Sequence, residues 1–162
     1  MTKLKSVKGN PAKTLRDLRG GARAHRVVLV HSPIRFGPYT DELEVLVFVG
    51  QTILAEARAY RRGKVFYVKH AKAYQRGWGP LVYDLLMERA TEMGAALAPD
   101  DDVTSDDARK VWKKYSERED VEMVKRLREP EFVGDGWYEK YPETLNMLRR
   151  SEVLEEREGT SD

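Results

Sequence analysis

Residues 75–81, Gln-Arg-Gly-Trp-Gly-Pro-Leu, join a strand-like apolar segment to a segment with helical periodicity. Such a loop can do chemistry with its backbone alone. The first N–H groups of a helix have no partner inside it, and with the helix dipole they form a site for phosphate. Glycines at 77 and 79 allow positive φ and let a ligand approach the main chain closely. Arg76 adds a cation, and Pro80 suits a first helical position, where its missing N–H is no loss. The alternative is plain strand-to-helix punctuation that binds nothing. The stretch is not a Walker A loop, which needs Gly-Lys-Ser/Thr. Nor is it a dinucleotide fingerprint, which needs a third glycine.

Other chemically able groups are few. His70 stands just ahead of the loop, and histidine is the side chain that titrates nearest neutrality. Lys69 and Lys72 beside it favour its neutral form where they are close. Glu56 aims either into a cleft or onto a solvated strand face. His25 and His31 flank a strand and form no cluster with the others. Asp100–Asp102 lack the alternation of a calcium loop. They read as a solvating run, or as an attractor for a cationic amine. The chain has no cysteine, which excludes a disulfide framework, a thiolate metal site and a cysteine nucleophile. No spacing resembles a metal site.

These groups are positioned by elements readable from pattern. His25–His31, Leu43–Val49, Thr52–Tyr60 and Val65–Lys72 are apolar or alternating and read as strands. Turns at Gly50-Gln51 and Arg62-Gly63 are short enough to join only antiparallel neighbours. From Pro80, the residues Val82, Leu85, Leu86, Ala90 and Met93 recur at helical spacing, while Asp84, Glu88 and Arg89 take other faces. Gly94 suits the helix end. A short strand follows over 95–99. A second helix opens at Thr104 or Ser105, with Asp106 and Asp107 in its first turn. Its apolar stripe is Ala108, Val111, Trp112 and Tyr115. Asp135-Gly136 predicts a hairpin turn within "FVGDGWYEKY", and Pro142–Arg157 predicts a final amphipathic helix. The fold class is therefore α+β, or mixed α/β. Residues 1–24 form a basic arm with a short helix over Ala12–Arg19, 25–129 the core, and 130–162 a hairpin-and-helix extension with an acidic tail.

The chain of 162 residues is 35% charged with a net charge of +2, and its length suits one domain. The charge is segregated. Residues 1–26 hold eight Lys or Arg against Asp17 alone. Blocks of like charge usually mark solvated segments; an anionic partner such as nucleic acid is the alternative for this arm. No apolar run approaches the ~18 residues of a membrane span, and no apolar h-region follows the N-terminal lysines. A cytoplasmic location without membrane contact is the expectation.

The element order, with its glycine loop, is similar to the GNAT superfamily of acyl-CoA N-acyltransferases over roughly Val45 to Tyr115. More specifically, "GWGPLVYDLLMERA", "PD" and "SDDARKVWKKY" resemble small GNAT-like proteins of tailed bacteriophages. Those carry Gly-x-Gly-Pro-Leu-apolar-Tyr-Asp ahead of a capped helix with Val-Trp-x-x-Tyr. The resemblance implies a mixed, mostly antiparallel sheet splayed between its fourth and fifth strands, with an acyl-CoA in the splay. It implies that Arg76, Gly77, Trp78, Gly79, Pro80 and Leu81 cradle the CoA pyrophosphate, and that Val68, Lys69 and His70 present backbone to the pantetheine arm. An amine attacks directly from the opposite side, a base removes its proton, and backbone N–H groups stabilise the oxyanion. His70 and Glu56 are the candidates for that base.

The chain departs from the family at two places. Gly77 and Gly79 fit the last two fixed positions of Arg/Gln-x-x-Gly-x-Gly/Ala, but Tyr74 stands at the first. Trp112 stands where many members carry a tyrosine that protonates the CoA sulfur; Tyr115, one turn later, is either its substitute or a core residue. The implied function is transfer of acetyl from acetyl-CoA to an amine: a polyamine or other small amino compound, a protein lysine or a modified nucleobase. The alternative is a non-catalytic GNAT-fold binding or virion-associated protein, with nucleic-acid contact through residues 1–26. A phage origin would place the protein in the host cytoplasm or the virion.

Overall fold

Four extended segments rich in β-branched and small apolar residues build one half of a sheet. They are β1 (His25–Pro33), β2 (Asp41–Val49), β3 (Thr52–Arg62) and β4 (Val65–Ala73), each antiparallel to the next. The structure, a computed structural model, describes residues 25–100, 106–126 and 136–159. Helix α1 (Gly79–Glu92) follows β4, then β5 (Ala96–Ala98), α2 (Asp106–Ser116), β6 (Glu122–Arg126), β7 (Gly136–Glu139), α3 (Glu143–Arg150) and β8 (Leu154–Glu158). The strands form one open sheet in the order β6-β7-β5-β4-β3-β2-β1-β8. Its neighbours are antiparallel except β4 with β5 and β1 with β8. The domain is thus mixed α+β with a mostly antiparallel sheet.

Alternation along the strands gives the sheet two unlike faces. One carries Val27, Leu29, Leu43, Val45, Val47, Ala55, Ala57, Ala59, Phe66 and Val68, all buried. These join Leu81, Val82, Leu85, Leu86 and Ala90 of α1 in the main core. The three alanines of β3 have little side chain, which lets α1 lie close over the middle of the sheet. Trp112 and Tyr115 of α2, Tyr138 of β7, and Leu145 and Leu148 of α3 complete the core. On the far face, Val65, Tyr67, Ala98 and the half-buried Trp137 make a second, smaller cluster.

Two expectations need correction. The first half of the predicted hairpin, up to Asp135, lies outside the described residues; the antiparallel partners on either side of it are β6 and β7. Gly136 is already in β7, opposite Arg126, and a Cβ there would meet the Lys125 carbonyl oxygen at 2.6 Å. That glycine answers to the close approach of β6, not to a turn. The final helix stops at Arg150 instead of running to Arg157. Glu152 takes positive φ (59°), and Leu154–Glu158 then pairs parallel with β1. The backbone of β1 wants a partner on its outer side, and this overrides the helical propensity of a Glu-rich segment. His31 of β1 bridges Asp41 of β2 (2.8 Å) and Glu158 of β8 (2.9 Å) across that edge. Asp84 and Glu88, on other faces of α1 than its apolar stripe, are fully buried as well.

In the stretch assigned to a C-terminal extension, β7 lies inside the sheet between β5 and β6, and α3 packs on α1. The basic arm 1–24 with its short helix, Asp101, Asp102, Thr104 and Ser105 lie outside the described residues. No helix among the described residues is long and apolar enough to cross a membrane.

Candidate functional site

The site begins where two neighbouring strands part. Residues Val65, Phe66 and Tyr67 of β4 pair with Ala96, Leu97 and Ala98 of β5, and there the pairing ends. Strand β4 runs on for six more residues, paired with β3 alone among the strands. At the point of parting β4 carries a bulge: Val68 faces Ala59, His70 faces Arg58, and Lys69 is the extra residue between them. A bulge bends its strand and re-aims a side chain. The Lys69 ammonium sits 2.8 Å from Asp100, just past β5, and 5.0 Å from the ring centre of Tyr39. This ion pair spans the opening between the two strands.

The glycine loop follows the end of β4 that lies beyond its pairing with β5. Gly77 has φ +99°, a backbone state that a side chain would strain, and a Cβ there would meet no atom within 4 Å. Trp78 turns inward: it is 4% exposed and stacks on His25 with ring centres 5.5 Å apart. That inward anchor fixes where α1 starts. The helix opens at Gly79-Pro80 with no side-chain cap and no acidic residue in its first turn. Its leading N–H groups and dipole are therefore without a built-in side-chain anion. Arg76 is exposed beside them, while the Leu81 side chain is fully buried. This stretch offers an anion its backbone and one guanidinium.

His70 and Glu56 meet on the far face. His70 Nε2 lies 2.9 Å from Glu56 Oε1, and the Tyr74 hydroxyl donates to the same oxygen at 2.8 Å. The His70 hydrogen bond, and secondarily that from Tyr74, hold the Glu56 carboxyl below its usual range against partial burial. Arg58 is 3.9 Å from Glu44 on the adjoining strand, and burial pushes the Glu44 carboxyl up. The Tyr74 phenol is raised by its bond to Glu56.

Tyr115 and Trp112 lie elsewhere, in the core. The Tyr115 hydroxyl donates to Asp84 Oδ1 at 2.7 Å, with the Pro80 carbonyl at 3.2 Å. Burial, then the neighbouring Asp84 charge, pushes its phenol well above the usual value. Trp112 is 1% exposed, stacked on Tyr138 at 5.4 Å and edge-on to Tyr83 at 5.9 Å. These residues brace the first turn of α1 from behind; neither side chain is exposed to a ligand.

Sequence pattern missed the network that Tyr115 joins. Arg118 makes a two-pronged contact with Asp84 (2.9 and 3.2 Å) and reaches Asp120 (2.6 Å). Lys140 contacts Glu88 directly and lies 3.8 Å from Asp84. Glu88 also accepts the Leu145 N–H at 2.8 Å, at the head of α3. A signal existed: Leu81, Val82, Leu85, Leu86, Met87 and Ala90 cover far more than one stripe of α1. A helix apolar on most sides is buried on most sides, so its acids must be buried with partners. Among the described residues there is no group of three or more His, Cys, Asp or Glu able to hold a metal. No family model, curated protein or solved structure matches the chain.

Proposed function

We propose that this protein is an acyl-CoA-dependent N-acyltransferase that moves acetyl from acetyl-CoA to an amine. One observation carries the reading. Strand β4 parts from β5 at the bulged Lys69, and the same strand leads through Gly77 and Gly79 into an uncapped helix start. The two features suit two parts of one ligand. A diphosphate needs backbone N–H groups and a helix dipole, here from Arg76 to Leu81. An extended arm bearing amides needs a strand edge to pair with, here Val68, Lys69 and His70 where β5 has turned away.

Acetyl-CoA supplies an activated acyl thioester. The amine attacks the acyl carbon in the opening, the C–N bond forms, the C–S bond breaks, and the sulfur departs as thiolate. Backbone N–H groups beside the bulge stabilise the oxyanion. The proton lost by the nitrogen passes to the His70–Glu56 pair. Tyr115 has no part in this scheme, because its hydroxyl is buried against Asp84. That burial favours a second reading, a GNAT-like fold that holds CoA without turnover.

Calorimetry and thermal shift with acetyl-CoA test the proposal. Binding should raise the melting temperature as RT ln(1 + [L]/Kd) requires; no shift at millimolar ligand rules out both CoA readings. Free-thiol release with a panel of primary amines then separates turnover from occupancy.

A further inference from the structure

The far face of the sheet holds one hydrogen-bonded chain of titratable groups: Tyr74, Glu56 and His70. Each comes from a different setting. Glu56 is in β3, His70 follows the bulge in β4, and Tyr74 is the first residue after β4, at the head of the glycine loop. The geometry fixes a proton. An ionised carboxylate only accepts hydrogen bonds, so the nitrogen facing Glu56 must be the protonated one. At 2.9 Å that nitrogen is Nε2. In the neutral ring Nδ1 is then the basic nitrogen, no described residue hydrogen-bonds it, and the His70 side chain is 35% exposed.

We propose that Glu56 is a positioning residue that locks His70 as its Nε2–H tautomer, making Nδ1 the atom that accepts the proton of an amine bound on this face. The inference rests on the acyltransferase reading and specifies who does what within it. As the C–N bond forms, the amine's proton goes to Nδ1, the thiolate takes the C–S electron pair, and the imidazolium later yields its proton to water. Tyr74 supports the lock. Its hydroxyl and His70 both donate to Oε1, and both help keep Glu56 ionised and therefore an acceptor. The charged groups near the ring are Glu56 and Arg58 of β3, Glu44 of β2, and its chain neighbours Lys69 and Lys72 of β4, of which Lys69 is paired with Asp100 beyond β5. Among these, Glu56 is the one whose carboxylate oxygen touches an imidazole nitrogen of His70.

The test has a ligand-free arm and a kinetic arm. Imidazole nitrogen NMR of the whole chain, with His70 assigned by His70→Ala, reads the tautomer directly. The wild type should show the Nε2–H form, Glu56→Ala a mixture of both forms, and Tyr74→Phe an intermediate pattern, with melting temperatures confirming that each variant folds. A proton on Nδ1 in the wild type, or a tautomer that ignores Glu56→Ala, overturns the proposal. In thiol-release assays His70→Ala should lose roughly 10²- to 10⁴-fold in kcat, the usual range for a general base. Glu56→Ala should lose less, with KM for acetyl-CoA unchanged and the pH profile displaced. A Glu56→Ala effect confined to KM for acetyl-CoA overturns the positioning role. Failure of acetyl-CoA to bind the wild type removes the parent reading and the proton-accepting step with it; the ligand-free spectra then decide the lock alone.

Discussion

Lys140 illustrates how much a single side chain holds here. It is 2% exposed at the end of β7, contacts Glu88, and stands 3.8 and 3.9 Å from Asp84 and Asp120. Arg118 neutralises Asp84 from the other side, but among the described residues Lys140 is the one cation within salt-bridge distance of Glu88. Removing one partner of a buried pair leaves the other charge without compensation, which costs about 3–5 kcal/mol, whereas apolar replacement of both is often close to neutral. At pH 8, where Glu88 is ionised, Lys140→Met should therefore lower the urea-unfolding free energy by an amount in that range. The double variant Lys140→Met with Glu88→Met should lose distinctly less. Equal losses would mean the two side chains are not coupled. None of this was legible beforehand. Residue spacing reports which side chains share a helix face, and it cannot report what later covers that face. Trp112 and Tyr115 show the same limit: their helical stripe was legible, but not that it would be sealed by Tyr138 and Tyr83.

At the scale of elements, β1 to β5 and α1 were readable because their patterns are long, regular or sharply punctuated. The apolar alternation of β2 and β3 survives in their burial, and Gly94 takes positive φ just past α1, as a helix stop requires. The two edge strands were not readable. β6 and β8 are five residues each and mostly charged, a composition that protects an exposed edge from pairing with another chain. Their pairing partners, not their own pattern, make them strands. The pairing of β4 with β5 was likewise not legible in the pattern of either strand, since parallel pairing is decided by a helix crossing over, not by the three residues of β5. The start of α1 lends itself to an experiment that separates stability from binding. Gly79→Asp puts an acid into a first turn that has none, and a Cβ there meets only the Ala73 methyl at 3.8 Å. The helix dipole should make this variant as stable as the wild type or more so, by about 0.3–1 kcal/mol. The same carboxylate should repel a diphosphate and abolish the thermal shift with acetyl-CoA. A retained shift would show that the ligand does not use this helix start.

Across the whole molecule, the carboxyl groups pull stability in opposite directions as pH changes. Arg149 ties three elements together, meeting Glu92 of α1 at 2.7 Å and Glu156 of β8 at 2.6 Å. Its hydrogen bond holds the Glu156 carboxyl below the usual range. A depressed acid adds stability above its unfolded pKa and loses it as pH falls through the folded value. Glu56 acts in the same sense. Glu88 is the opposite case: burial, opposed by Lys140, pushes it up to about 7 from 4.5. Below 4.5 both folded and unfolded chains carry that proton. Between 4.5 and about 7 the folded chain keeps it while the unfolded chain has lost it, so unfolding releases a proton and stability falls as pH rises. For one group that slope is at most about 1.4 kcal/mol per pH unit, and it vanishes above the folded value. Urea unfolding at pH 5, 6, 7 and 8 should show a wild-type decline concentrated between pH 5 and 7. Glu88→Gln should be less stable at pH 5, because Lys140 loses its closest acceptor, yet flatter across the same interval. Parallel curves for the two proteins would mean that Glu88 is ionised throughout, with Lys140 outweighing its burial.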